Sequence, residues 1–198
     1  MTDTVCHFWR HPRPQGVEGR CIGRTDVRVD PRKAKRLAHR IRRCRRRESG
    51  PRVVVTSPLQ RCASVGRWLK AWGWTHLVDE RLSEMDFGAW DGRRWHDIGA
   101  AAVDAWCADF MHHRAGGGES VAQLLARCEN FLLQRQDDSP PCIVGHAGWA
   151  SAAMWLARRQ SPDHATGAAP DPSAADWPTV VGYGKRVTLT LRPPSACA

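Results

Sequence analysis

Long apolar runs are missing from this chain. No stretch approaches the roughly eighteen continuous apolar residues of a membrane-spanning helix, and the first residues lack the apolar core of a secretory signal peptide. We therefore expect a soluble, cytoplasmic protein. Internal repeats are also absent, which excludes a repeat architecture.

Cysteine pairs at metal-binding spacing are missing as well. The eight cysteines are scattered without one Cys-x-x-Cys pair, and several lie inside apolar runs. This pattern disfavours a zinc ribbon and a disulfide framework, and it predicts mostly packed, reduced thiols. Nine histidines are present, but His112 and His113 are adjacent and no spacing matches a metal site. We predict no metal and no other cofactor.

The length and the order of patterns indicate the fold class. The 198 residues are enough for one domain with a substantial core, so we expect a single domain over residues 1–198. Helical and short apolar runs alternate, which predicts an α/β protein with a mostly parallel sheet and helices on both faces. Residues 161–178 are predicted to be an irregular surface segment, and residues 185–191 a final strand at a sheet edge.

Positive charge is concentrated in one predicted helix. The formal net charge is +10, and residues 32–47 hold much of the excess. Ala34, Leu37, Ala38, Ile41 and Cys44 recur there at helical spacing, which predicts a packed helix with a solvated basic face. The alternative is a surface for nucleic acid or another anionic partner, but no RNA- or DNA-reading motif accompanies it, so nucleic acid is disfavoured. The sequence leaves the oligomeric state open, and a homodimer is compatible with it.

An Arg-His pair lies where the first apolar run stops. Residues 8–14 read FWRHPRP, and the run begins at Val5. If this run is a strand, Arg10 and His11 lie at its carboxyl end, where open α/β sheets bind ligands. His11 is therefore a candidate nucleophile.

Three later segments carry basic or acidic residues that suit the same site as Arg10 and His11. Residues 53–61 (VVVTSPLQR) form a β-branched run that leads into a helix with Arg61 in its first turn. Residues 81–92 (RLSEMDFGAWDG) form a loop that carries Glu84, and residues 142–148 (CIVGHAG) form an apolar run that ends at His146. Such strand ends can bring the two arginines and the two histidines to one rim, and that basic cluster suits a phosphoryl group. The expected partner is therefore a small phosphorylated substrate.

Together these segments resemble the histidine phosphatase superfamily. Its phosphoglycerate mutase-like members share an Arg-His pair, a Ser-Pro-Leu-x-Arg segment, an acidic residue before Phe-Gly and a late Gly-His. Within that superfamily, four segments look most like the α-ribazole phosphatase group. They are HPRP at 11–14, the GRTD turn at 23–26 in the stretch 19–26, EMDFGAW at 84–90 and GGES at 117–120. The resemblance covers residues 5 to about 160. It implies a three-layer α/β/α fold of the phosphoglycerate mutase-like kind.

The resemblance also implies a role for each residue. His11 attacks phosphorus as a neutral imidazole, while Arg10 and Arg61 neutralise the phosphate oxygens. His146, protonated when phosphate is bound, donates to the transferring group. Glu84 protonates the leaving oxygen and then activates water; Asp86 competes for that role.

Supporting contacts are expected around this set. The loop after the nucleophile offers backbone groups of Ile22 and Gly23 to the phosphate, although a simple turn explains that loop almost as well. Arg13 and Arg24 extend the anion pocket in one interpretation and are ordinary exposed arginines in the other. Glu119 and Ser120 border the pocket, or Ser120 only caps a helix.

Three functions follow from these residues. The main hypothesis is a metal-independent phosphomonoesterase that works through a phosphohistidine, acting on α-ribazole 5′-phosphate or its cobamide-linked form in cobalamin synthesis. A phosphoglycerate mutase or a broad-specificity phosphatase is the first alternative, although such mutases usually carry a longer insertion after the acidic motif. A non-catalytic phosphate- or nucleic-acid-binding protein is the second alternative, and the complete set of five residues argues against it.

Overall fold

A mixed five-stranded sheet organises the part of the chain that the structure describes. The structure is a computed structural model, and it describes residues 4–48, 50–134, 142–159, 171–179 and 181–191. The strands are β1 (Thr4–Arg10), β2 (Val53–Thr56), β3 (Thr75–Val78), β4 (Cys142–Gly145) and β5 (Arg186–Leu191). Their order is β3-β2-β4-β1-β5, with β5 antiparallel at one edge and the other neighbours parallel. This confirms the predicted mostly parallel sheet and its final edge strand.

Helices cover both faces of the sheet. They are α1 (Pro31–Arg47), α2 (Gln60–Ala71), α3 (Trp95–Ile98), α4 (Ala100–Ala108), α5 (Val121–Leu133) and α6 (Ala147–Arg159). Three single-turn 3₁₀ helices also occur, at Glu80–Leu82, Gly88–Trp90 and Ala115–Gly117. The three-layer α/β/α prediction is confirmed. None of the described helices is both long and apolar enough to cross a bilayer.

The alternation of side chains along the strands creates two cores. Phe8 and Ile143 point to one face and pack with α5 and α6. Trp9 and Val144, one residue further along each strand, point to the other face and pack with α1 and α2. Because successive strand residues face opposite sides, both faces of β1 and β4 are apolar and both need a helical cover.

Helix boundaries follow local chemistry. Asp30 accepts the N–H of Arg32 with its side chain, and Pro31 begins α1 with a backbone angle already suited to a helix. Ser120 and Gln123 form the predicted capping box at the start of α5. Of the predicted irregular segment, residues 171–178 contain neither helix nor strand, while residues 161–170 lie outside the described part of the chain.

Candidate active site

The register of the parallel strands brings three polar residues to one edge of the sheet. β1, β2 and β4 end in line, and His11, Ser57 and His146 are the first residues beyond them. Two backbone hydrogen bonds extend this alignment: His11 N–H donates to the Gly145 carbonyl at 3.0 Å, and Ser57 N–H donates to the Val144 carbonyl at 3.2 Å. Their side chains therefore leave the sheet at the same carboxyl edge.

The two histidines meet in a buried site. Their ring centroids are 5.1 Å apart, and His11 is 4% exposed while His146 is 0% exposed. The ring of His146 contacts the side chain of Arg61, which is itself buried, and the charge of Arg61 also acts on His11. The structure thus brings together the residues that the sequence placed at three separate strand ends.

His11 is held as one tautomer. Its Nδ1 lies 2.8 Å from the Pro12 carbonyl, which can only accept, so Nδ1 carries the proton and Nε2 carries a lone pair. Nε2 has no hydrogen-bond partner among the described residues. Burial, together with the nearby charges of Arg61 and Arg10, holds the pKa of His11 well below its usual value. The ring is therefore neutral and its Nε2 is available for attack at neutral pH.

Arg61 is fixed by three neutral acceptors. Its Nε donates to His146 Nδ1 at 3.2 Å, and its two Nη atoms donate to the carbonyls of Thr25 and Gly23 at 2.8 and 2.6 Å. A guanidinium has five N–H groups, so two remain after these contacts. No carboxylate neutralises Arg61 within the described residues, and its positive charge is left for an anion.

His146 is fixed as the opposite tautomer. Since Arg61 donates to Nδ1, the proton of His146 lies on Nε2, which donates to Ser57 Oγ at 2.8 Å. Burial, then the charges of Arg61 and His11, lower the pKa of His146 well below its usual value. In this arrangement the ring is neutral and both nitrogens are occupied. The donation to phosphate that the sequence predicts requires Nε2 to exchange Ser57 for the ligand.

Arg10 is held by a segment just before β5. Its Nη1 donates to the Val181 carbonyl at 2.7 Å, and its guanidinium carbon lies 3.8 Å from the centre of the Tyr183 ring. The Nε of Arg10 is buried without a hydrogen-bond partner among the described residues. Burial lowers the pKa of Arg10, while the nearby Tyr183 and Glu84 oppose that effect. A buried N–H without an acceptor beside His11 suits an anionic ligand.

Tyr183 is a residue of this site that sequence reasoning missed. Its ring centroid is 5.5 Å from that of His11, and the side chain is partly exposed. The N–H of Gly184 donates to the carbonyls of both Arg10 and His11 at 3.1 Å, which ties this segment to the end of β1. The only available signal was that Tyr183 is the single tyrosine of the chain.

The side chain of Glu84, which comes from the loop at residues 81–92, lies beside the first residues of α6. Its side chain is buried, and its two oxygens accept the backbone N–H groups of Met85 at 3.1 Å and Gly148 at 3.3 Å. The amino end of a helix favours a carboxylate there. Asp86, the competing carboxylate, is more exposed and accepts the N–H of Gly88 at 2.9 Å, as in a local turn. The geometry therefore favours Glu84 over Asp86 as the buried carboxyl group.

A buried ion pair braces the loop that carries Glu84. Arg127 pairs with Glu119 through two contacts of 2.6 and 2.9 Å, and its Nη1 donates to the carbonyls of Arg81 and Ser83 at 2.8 Å. Ser120 caps α5. Glu119 thus supports the site from behind the loop, and Ser120 has the capping role that was its alternative.

The loop after the nucleophile is tied down by a second missed residue, Asp91. Its carboxylate accepts the N–H groups of Gly23 at 3.0 Å and Thr25 at 2.8 Å. A Cβ on Gly23 would collide with the Met85 carbonyl, so close packing requires glycine here. Because its N–H is committed to Asp91, Gly23 does not offer that group to a phosphate in this arrangement. Ile22, next to it, is half-buried.

The two flanking arginines lie at the surface. Arg13 is about half exposed and pairs with Glu18 at 3.2 Å, and Arg24 lies 3.9 Å from Asp86. Neither contacts His11 or His146 among the described contacts. Their proposed extension of the anion pocket stays a prediction.

Cys62 packs against the second histidine without competing as a nucleophile. Its Sγ lies 3.4 Å from His146 Nε2, and burial raises the pKa of its thiol, so the thiol is protonated. Within the described ranges no group of three or more His, Cys, Asp and Glu side chains is arranged to hold a metal ion.

The fold is similar to several solved structures. It matches "Mycobacterial hydrolase 2" with a TM-score of 0.75 at 21% identity, covering 98% of this chain and 85% of that one. It matches mycobacterial glucosyl-3-phosphoglycerate phosphatase complexed with VO3 with a TM-score of 0.71 at 22% identity, covering 93% and 91%. The α-ribazole phosphatase from Shigella flexneri gives a TM-score of 0.71 at 23% identity, covering 96% and 95%.

The sequence itself was compared with known proteins and with models of protein families. No curated protein sequence is significantly similar to this chain. The model of the histidine phosphatase superfamily (branch 1), however, matches residues 6–188, which include every motif described above. The chain therefore belongs to the histidine phosphatase superfamily, branch 1.

Proposed function

We propose that the protein is a phosphomonoesterase that works through a phosphohistidine on His11. The observation that carries this proposal is the state of His11: a buried, neutral imidazole with its Nδ1 proton committed to Pro12 and its Nε2 lone pair unused. Beside His11, the Nε of Arg10 is buried without a hydrogen-bond partner among the described residues, and a buried N–H of this kind calls for an acceptor. An electrophilic anion is the ligand that suits this combination.

The first half-reaction forms the phosphoenzyme. His11 Nε2 attacks phosphorus, and the bond between phosphorus and the ester oxygen breaks. Arg10 and Arg61 neutralise the three phosphoryl oxygens. Glu84 gives its proton to the departing oxygen, so the leaving group departs as an alcohol.

The second half-reaction releases inorganic phosphate. The Glu84 carboxylate takes a proton from water as the water oxygen attacks phosphorus, and the bond between Nε2 and phosphorus breaks. His11 returns to its neutral form with Nδ1 still hydrogen-bonded to Pro12. In both halves the Nε2–H group of His146 donates a hydrogen bond to a phosphoryl oxygen and keeps its proton; between turnovers it donates to Ser57 Oγ.

For the substrate, α-ribazole 5′-phosphate or its cobamide-linked form is our first candidate. Its support is the HPRP, GRTD, EMDFGAW and GGES segments of the chain, together with a fold similar to the Shigella flexneri enzyme. Glucosyl-3-phosphoglycerate is the second candidate, because the fold is equally similar to the mycobacterial phosphatase. Phosphoglycerate mutase activity stays an alternative from the sequence.

A panel of phosphate esters tests both the proposed phosphatase activity and the proposed substrate. The purified chain is incubated with an aryl phosphate, α-ribazole 5′-phosphate, glucosyl-3-phosphoglycerate and 3-phosphoglycerate, and released phosphate is measured. We expect hydrolysis of the aryl ester and the highest kcat/KM on α-ribazole 5′-phosphate. Isomerisation of 3-phosphoglycerate without phosphate release would identify a mutase. Absence of turnover with every ester would overturn the phosphatase proposal.

A further inference from the structure

A basic cavity lies at the opposite edge of the sheet from the candidate active site. It encloses about 370 Å³. Its walls come from the last turns of α1, from the residue before β2 and from the residues before β3, so it lies at the amino ends of strands whose carboxyl ends hold the histidines. Four arginines and two tryptophans line this basic pocket: Arg42, Arg45, Arg46, Arg52, Trp72 and Trp74.

Three of the four pocket arginines have no carboxylate partner among the described residues. Within those residues no acidic side chain lines the pocket, and Arg42, Arg46 and Arg52 have no carboxylate within ion-pair distance. Some arginines elsewhere do have a carboxylate partner, as Arg127 has in Glu119. Cations in the last turn of α1 complement the helix dipole, but Arg52 comes from a different segment and converges on the same cavity.

Part of the basic pocket is already ordered. Arg45 is buried, and its Nε donates to the Pro51 carbonyl at 3.1 Å. The guanidinium of Arg42 lies 5.5 Å from the centre of the Trp72 ring, and Trp74 is buried beneath. Side chains held in place before binding lose less conformational entropy on contact with a ligand. A concave, ordered cluster differs in this respect from a solvated helix face.

We propose that the basic pocket binds a linear oligophosphate, that is, a chain of two or more phosphates, either inorganic or carried by a nucleoside. Guanidinium groups donate paired hydrogen bonds to phosphate oxygens and keep their charge at any working pH. The three guanidinium groups of Arg42, Arg46 and Arg52 match an anion with several charges better than a single phosphate monoester. The volume falls in the range of small-molecule sites, roughly 300–1,000 Å³. This site is separate from the His11 site and does not depend on its activity.

Calorimetric titration of the full chain with inorganic tripolyphosphate tests the proposal. Arg46 and Arg52 are exposed, so Arg46→Ala/Arg52→Ala removes two pocket charges at little risk to folding. Arg36→Ala/Arg43→Ala is the matched control, because both residues are exposed on α1 outside the pocket and the net charge changes equally. We expect Kd to rise about tenfold or more in the pocket variant and less than about twofold in the control.

Two further titrations separate the sources of binding. In the first, ATP replaces tripolyphosphate, and the ratio of the two Kd values shows whether a nucleoside adds affinity through the tryptophans. Binding of either compound that weakens when Arg46 and Arg52 are replaced supports the proposal. Equal weakening in both double variants would overturn it in favour of general attraction to a basic surface. Binding of a single-stranded oligonucleotide without binding of tripolyphosphate would overturn it as well. Hydrolysis of an aryl phosphate should be unchanged in both variants.

Discussion

The two histidines of the site are 5.1 Å apart yet carry their protons on different nitrogens. A carbonyl acceptor, that of Pro12, places the proton of His11 on Nδ1, while a guanidinium donor, Arg61, places that of His146 on Nε2. Each ring therefore presents a different group: a lone pair from His11 and an N–H from His146. This difference supports the proposed assignment of attack to His11 and of charge stabilisation to His146.

Replacement of the nucleophile should remove the covalent intermediate. We expect His11→Ala to abolish acid-labile phosphoryl labelling and to lower turnover by about 10³-fold or more, since no other imidazole has a free Nε2 at this place. Quenched-flow labelling with a radioactive ester measures both. His112→Ala, an exposed histidine, is the control and should label like the parent protein. Label that persists in His11→Ala would assign the nucleophile elsewhere.

The ring of Tyr183 should contribute through Arg10. Without the ring, the Arg10 guanidinium loses its stacking partner, and we expect Tyr183→Ala to raise KM for phosphate esters about tenfold. Tyr183→Phe keeps the ring and should stay within about twofold of the parent. Steady-state kinetics and inhibition by inorganic phosphate measure the effect. An equal loss in both variants would mean that the hydroxyl, not the stacked ring, carries the role.

At this scale, sequence patterns identified residues that carry chemistry but not those that hold them. Arg10, His11, Arg61 and His146 each follow a recognisable strand or begin a helix, so their convergence could be predicted. The carboxylate of Asp91 accepts backbone N–H groups that are 66 and 68 residues away. The ring of Tyr183 stacks on Arg10 from a segment whose Val181 carbonyl lies 171 residues after that arginine. No local pattern encodes such a contact.

Among the elements, the start of α6 governs the carboxyl group of Glu84. A Cβ added to Gly148 would lie 2.7 Å from Glu84 Oε1, so the carboxyl group would have to move. We expect Gly148→Ala to lower kcat about tenfold or more for alkyl phosphates and less than about twofold for activated aryl phosphates, whose leaving groups need no proton.

A double variant provides the control for that prediction. In a Glu84→Gln background the carboxyl group is already lost, so adding Gly148→Ala should change the alkyl ester rates little further. Additive losses in the two variants would show that Gly148 acts by another route. Equal loss on alkyl and aryl esters in Glu84→Gln alone would make Glu84 a positioning residue.

The sequence predicted the elements better than their buried faces. All the predicted helices and strands within the described ranges are present. In α1, however, Arg45 is buried where Cys44 had been placed on the apolar stripe, because its guanidinium reaches the Pro51 carbonyl at the end of the helix. In α5, Phe131 is buried because its ring packs edge-on against Trp149. Such contacts depend on neighbouring elements that periodicity does not describe.

For the whole molecule, burial of two neutral imidazoles makes stability depend on pH. The pKa values of His11 and His146 lie well below the usual value of 6.5 in the folded protein. Below pH 6.5 the unfolded chain therefore binds more protons than the folded one, and the free energy of unfolding falls as pH falls. Each histidine contributes at most about 1.4 kcal/mol per pH unit to this slope.

Urea denaturation between pH 5 and 7.5 measures the effect. We expect the free energy of unfolding to decline below about pH 6.5, and to decline less steeply in His11→Asn, because that variant lacks one buried titrating group. The same slope in the parent and in His11→Asn would mean that the folded protein accepts the proton on His11 without penalty.

The groups that hold the Arg10 guanidinium come from a much later part of the chain than Arg10 itself. The arginine belongs to the first strand, but the carbonyl that fixes it comes 171 positions later, at Val181, and the ring that covers it follows two residues after that. A ribosome delivers the chain from its amino end. Arg10 and His11 are therefore synthesised long before the segment that holds the Arg10 guanidinium, and this side of the site is completed only after Tyr183 has left the ribosome.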